Sequence, residues 1–182
     1  VKVTDYLDEI SNLCDLTNKP FLAKGLMHQF NLEFMHKKMP NTIFLYIKRN
    51  VKAVMQSIYM ARLSEFGDTR KWWSAKPKEY AELVNKSPEE QIAGQVYYIN
   101  KAISQGMEKI PTGKKLTVHY EDFIKRPDVI YVSLSVLYKK LGVNIDTLNS
   151  YPEMGMYNSD NVLIDECVAD RLSKYYLEFR NK

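Results

Sequence analysis

A chain of 182 residues with 45% apolar and 26% charged content has the make-up of one ordinary globular domain, long enough to bury a sizeable core. Twenty-six Lys and Arg against 22 Asp and Glu leave +4, an excess that favours anionic ligands but, scattered as it is, argues against nucleic acid as a partner. No run of 18 apolar residues calls for a membrane, VKVTDYLDEI lacks a signal-peptide pattern, and Cys14, Cys167 and the three histidines are too dispersed for a disulfide framework or a zinc site, so a cytoplasmic protein without metal is expected.

In chain order, residues 3–14 are predicted as a helix, with Thr4 in N-cap position ahead of Tyr6, Leu7, Ile10 and Leu13. PFLAKG (20–25) reads as a short buried strand. HQFNLEFMHKKM (28–39) sets Phe30, Phe34 and Met35 at helical spacing, carries Lys37 and Lys38 in its last turn and stops at Pro40. TIFLYIK (42–48) is β-branched and aromatic, a second buried strand, and 51–65 continue as a helix through Val54, Met55, Ile58 and Leu63. Segment 66–86 holds a glycine, a proline and both tryptophans, and is expected to wander over the domain outside its core. Ser87-Pro88-Glu89-Glu90 opens a long helix with an N-cap, a first-turn proline and acids facing the dipole. Its stripe of Ile92, Val96, Ile99, Ala102 and Ile103 runs toward Gly106. KLTVHY (115–120) alternates as a third strand, and 128–142 form an amphipathic helix ending at Gly142. The last forty residues carry only weak helix and loop signals. No repeat or flexible linker divides the chain, so 1–182 are expected to be a single domain.

Strand and helix thus alternate three times, which predicts an α/β sandwich with a largely parallel sheet. Ligands of such folds sit beyond the carboxyl ends of the strands. Those ends carry Lys24-Gly25, Lys48-Arg49-Asn50 and Tyr120-Glu121-Asp122, so all three clusters are expected along one edge. The planar fork of Arg49 can grip a phosphate from two sides, and Ser57, roughly 10 Å along the following helix, can add a hydroxyl donor. The same spacing also fits a surface arginine followed by a small core-facing serine. Glu121 and Asp122 read as structural acids that cap a turn or pair with a basic residue. His119 and Tyr120 alternate across the strand, so only one of them faces the site. Trp72 and Trp73 either line a pocket or anchor their own loop.

IFLYIKRNVKAVMQS resembles the 3′-phosphate-binding segment of sulfotransferases that use 3′-phosphoadenosine 5′-phosphosulfate (PAPS). In that family an apolar strand ends in Arg-Asn/Asp-Pro, and a serine follows eight residues after the arginine. Arg49 and Ser57 match both types and the interval; Val51 stands where the proline usually does. LTVHYEDFIKRPDV is similar to the family's strand followed by Tyr-Glu-Asp and a helix-opening proline. PFLAKG…MPNTIFLYIKRN and WWSAKPKEY…SPEEQIAGQVYYINKAI match in the same order, so the resemblance spans about residues 20–142. It implies a P-loop NTPase-like three-layer sandwich, a mainly parallel sheet flanked by helices, and sulfuryl transfer from PAPS to a hydroxyl or amine acceptor. It also implies 3′-phosphoadenosine 5′-phosphate as product and no metal. Arg49 and Ser57 would bind the 3′-phosphate and Tyr120 would wall the adenosine site. His28 is the candidate base, its other reading being a polar residue in a first helical turn. Lys24 is a candidate cation for the sulfate, or else a strand-end lysine with its stem on apolar surface.

One departure is plain. The Gly- and Ser/Thr-rich loop that holds the 5′-phosphosulfate in the family has no counterpart among the seven isolated glycines. With Val rather than Met at position 1, the expectation is a member incomplete at its N-terminus, able to hold the product nucleotide weakly but not to catalyse efficiently. Two other readings stay open on the residues alone. One is a P-loop kinase-like protein, which would need a Walker-type lysine loop. The other is a non-catalytic nucleotide- or anion-binding module.

Overall fold

The computed structural model describes residues 3–26, 28–143, 161 and 163–182. Helix α1 (Val3–Thr17) precedes an irregular stretch, a 3-10 turn at His28–Phe30 and the short α2 (Leu32–Lys38). Strand β1 (Phe44–Lys48) leads into α3 (Val51–Phe66), the one-turn α4 (Tyr80–Leu83), the long α5 (Pro88–Glu108) and β2 (Lys115–His119). Helices α6 (Tyr120–Lys125), α7 (Pro127–Lys140) and α8 (Glu166–Arg180) follow. Among the described residues this is an α/β arrangement, mostly helical, with one parallel two-stranded sheet.

The expected strand at 20–25 is not formed. Phe21 and Leu22 are 44% and 86% exposed, so this apolar run finds nothing to bury against. The backbone N–H groups of His28 and Gln29 instead donate to Gly25 O (3.2 and 3.1 Å), and the segment turns into the 3-10 turn. The expected helix 28–39 is accordingly split at Asn31, and Thr4 lies inside α1 rather than capping it. Of the last forty residues, 144–160 and 162 fall outside those described.

Helix α5 organises the rest. Its start is a capping box: the Ser87 hydroxyl accepts from the Glu90 N–H while the Glu90 carboxylate accepts from the Ser87 N–H, each at 3.3 Å. Ile92, Ala93 and Val96 then pack with Met55 of α3, Leu83 of α4, and Val168, Leu172 and Phe179 of α8. Leu83 is 1% exposed, so the 66–86 excursion contributes to the core after all. Helices α5 and α8 run in the same direction. Glu89 pairs with Arg171 at 2.8 Å near their starts, and Tyr97 and Tyr98 meet Phe179 farther along. On the sheet, the Tyr46 hydroxyl donates to Asn100 of α5 (3.2 Å) and Lys115 Nζ donates to Met107 O (2.6 Å), which seats α5 on one face. On the opposite face Val118 is buried, while Leu45 and Ile47 remain about two-fifths exposed (38% and 43%).

Gly94 sits where α5 comes closest to its neighbours: a Cβ there would collide with Leu83 and approach Phe179 Cζ to 3.1 Å. Gly94→Ala should therefore lower the denaturant midpoint, even though alanine gains about 1 kcal/mol of helix propensity. Leu172→Ala should cost about 2–4 kcal/mol in the same assay, the usual penalty for an unfilled core leucine site.

Candidate functional site at the strand ends

Strands β1 and β2 pair in register, Phe44 with Lys115 through to Lys48 with His119. The residues immediately after them are consequently neighbours. Arg49 stacks its guanidinium over the Tyr120 ring, Cζ 5.0 Å from the ring centroid, a favourable cation–π geometry. Arg49 is half-buried and its Nε is buried without a hydrogen-bond partner. Among the described residues no carboxylate forms an ion pair with it. A partly desolvated guanidinium with uncommitted donors is poised for an anion from outside the fold.

The backbone around Arg49 is held from two sides. Asn50 caps α3 by accepting from the Lys52 N–H through Oδ1 (2.9 Å), and its own N–H donates to Glu121 Oε1 (3.0 Å). That amide bond is the main reason the Glu121 carboxyl lies below the usual carboxylate range. Its own N–H and the nearby charges of His119 and Arg49 act in the same direction. Glu121 thus behaves as the structural acid the sequence suggested, but its partner is a backbone amide on the neighbouring strand end, which no local pattern announces. His119 is exposed and lies in register with Lys48, while Tyr120 opens α6.

Ser57 is exposed in the second turn of α3. Next to it, the Gln56 side-chain amide grips the chain ahead of α8, donating to Asn161 O (2.8 Å) and accepting from the Leu163 N–H (3.0 Å). Lys24 is exposed on the irregular 20–25 segment, so the predicted three-cluster edge reduces to two clusters. His28 sits in the 3-10 turn against α5 and meets Tyr6 of α1, its Nε2 3.2 Å from the hydroxyl. The structure brings Arg49 and Tyr120 into contact; Ser57, Lys24 and His28 make no described contact with that pair. A groove of about 480 Å³ runs beside β2, lined by Val118, His119, Asp122, Lys125 and Val129. A larger cleft of about 540 Å³ between α2, residues 77–79 and α5 contains none of the five predicted residues. No three His, Cys, Asp or Glu side chains gather to hold a metal ion, and no helix is long and apolar enough to cross a membrane, among the described residues.

Comparison with known proteins gives one family match: the model described as Sulfotransferase family covers residues 3–146. No curated protein and no solved structure matches the chain significantly.

Both tryptophans lie on the excursion that follows α3, and their surroundings are those of anchors. Trp72 packs edge-on against Tyr80 (4.7 Å) and Trp73 against Phe66 (5.9 Å). Beneath Trp72 lies Arg62, fully buried, its Cζ 5.1 Å from the indole. Arg62 donates to Thr69 O (2.9 Å), Gln91 Oε1 (2.8 Å) and Gln95 Oε1 (3.2 Å). The orientation of both glutamines is forced. Gln91 Nε2 is taken by Val84 O and Lys86 O, and Gln95 Nε2 by Trp73 O and Ala75 O, so each Oε1 faces the guanidinium. Burial pulls Arg62 down to about 10, which leaves it charged at neutral pH. Arg62→Met would strand three acceptor oxygens in the interior, a loss of about 2–4 kcal/mol. Limited digestion with a Lys/Arg-specific protease should then cut within 70–78 well before the rest of the chain opens.

Proposed function

The chain belongs to the sulfotransferase family, and from that premise we propose that it is a PAPS-dependent sulfotransferase or the C-terminal portion of one, holding the 3′-phosphate end of a donor whose sulfuryl group goes to a hydroxyl or amine acceptor. Family membership carries sulfuryl transfer in general; the donor and its seat are our reading. The observation that carries it is Arg49: a half-buried guanidinium at a strand end, one face on Tyr120, in no ion pair among the described residues, with Glu121 near enough to feel its charge but bonded to the Asn50 amide. Its chemistry fits a terminal phosphate gripped in the plane of the fork. Arg49 and Ser57 hold the 3′-phosphate in this reading, and Tyr120 walls the adenosine. The nucleotide supplies the sulfuryl group when bound.

His28 is assigned as the base that takes the acceptor proton, and Lys24 as a cation for the transferring group. Neither contacts Arg49, so both assignments imply that the irregular 20–25 segment and its 3-10 turn close toward the strand ends when donor and acceptor are present. The two parallel strands are read as part of a P-loop-like three-layer sandwich, with the strand ends as its ligand edge and 1–182 as one domain.

Calorimetric titration with 3′,5′-adenosine bisphosphate and with 5′-AMP tests the central assignment. The bisphosphate should bind about tenfold or more tightly, the worth of a charge-assisted phosphate contact, and Arg49→Ala should erase that preference. Equal affinities in the unaltered protein would sink the 3′-phosphate reading.

A further inference from the structure

We propose that Glu121 is a positioning residue for the proposed phosphate site, acting through the Asn50 amide to keep Arg49 on the face of Tyr120. The inference rests on the reading of Arg49 given above and deepens it.

Glu121 belongs to α6, immediately beyond β2, whereas Asn50 and Arg49 belong to the turn between β1 and α3. The bond from the Asn50 N–H to Glu121 Oε1 (3.0 Å) joins the two turns directly, one residue past Arg49 on one side and one residue past Tyr120 on the other. The two members of the stack are thus each covalently adjacent to a member of this bond. With the amide fixed, φ −49° and ψ 124° at Asn50 send the chain into α3 in one direction, and the Arg49 side chain leaves the strand end toward the ring. A proline at the first helical position restricts such a turn by its ring; here that position is Val51, and the turn is restrained by the Asn50 cap and by Glu121 instead.

The same bond has an electrostatic consequence. The first N–H groups of a helix attract anions. At the α3 start the Lys52 N–H is taken by the Asn50 side chain, and the Asn50 N–H just ahead of the helix is taken by a carboxylate. Two backbone donors at this turn are thereby committed, and the Arg49 fork beside them is not. Glu121 thus holds the N-cap amide, and with it the turn from which the Arg49 side chain departs.

The test uses the whole chain with Glu121→Ala and Glu121→Gln, the second of which keeps an oxygen for the Asn50 amide. In the ligand-free protein the Arg49 Hε proton should show an upfield ring-current shift from Tyr120 in NMR spectra. That shift should disappear in Glu121→Ala and persist in Glu121→Gln, with melting temperatures close to the parent for both. The preference for 3′,5′-adenosine bisphosphate over 5′-AMP should fall by about tenfold in Glu121→Ala, the size of one hydrogen bond to a charged group, and be retained by Glu121→Gln. An unaltered Arg49 shift or an unaltered preference in Glu121→Ala would overturn the proposal. If the unaltered protein shows no preference at all, the 3′-phosphate reading fails by itself, and the Arg49 shift still decides the role of Glu121.

Discussion

Register between two five-residue strands decides where the candidate site lies. Because β1 and β2 are parallel and paired Phe44 to Lys115 through Lys48 to His119, their carboxyl ends are level. Arg49 and Tyr120, the next residues of the two chains, thereby come side by side. A slip of one residue would exchange the faces of every side chain on the slipped strand. A slip of β1 would take Tyr46 from Asn100, a slip of β2 would take Lys115 from Met107 O, and in either case the guanidinium would no longer meet the ring. The two contacts from the sheet to α5 are therefore also contacts that align the edge where Arg49 meets Tyr120.

What holds α5 in place is an unusual interior. Its apolar stripe packs conventionally against α3, α4 and α8, but next to that stripe lies a buried cation with only amide and carbonyl oxygens around it. Removing a guanidinium from water is costly, and among the described residues no buried carboxylate offsets it. The three acceptors and the Trp72 face take that part. The arrangement also ties the excursion 66–86 to both long helices, because the glutamines that face Arg62 hold the carbonyls of residues 73, 75, 84 and 86 with their other ends. The aromatic residues on that excursion are consequently committed to the interior and give it a rigid outline.

Much of this was legible in the sequence, for identifiable reasons. β1, β2, α3, α5 and α7 announce themselves through strong periodicity and clear caps, and the strand–helix–strand order alone places Arg49 and Tyr120 on one edge. The strand predicted at 20–25 failed because β-propensity reports a side chain suited to a half-buried surface, and here no surface is adjacent. Helix α8 was undervalued because its inward positions, Val168, Leu172, Tyr175, Tyr176 and Phe179, are diluted by charged neighbours and include two tyrosines, yet the spacing is that of a packed face. Arg62 was invisible since no pattern of hydropathy marks a charged residue at a core position. The Asn50–Glu121 bond was equally hidden, being a meeting of residues distant in sequence that only the register creates.

That distance bears on how the molecule assembles. Lys48 and His119 are 71 positions apart (119 − 48), as are Asn50 and Glu121. Chain segments so far apart meet only after a large loss of conformational freedom, and parallel pairing of two short strands returns little per residue. The contacts among α3, α4 and α5 span fewer residues, so these helices are expected to meet before the strand ends and before the α5–α8 contacts, of which Glu89–Arg171 spans 82 positions (171 − 89). The edge that carries Arg49 and Tyr120 is then expected to reach its native geometry after those helices have met. A ligand that bridges both strand ends would act chiefly as a brake on unfolding, with little influence on the rate of folding.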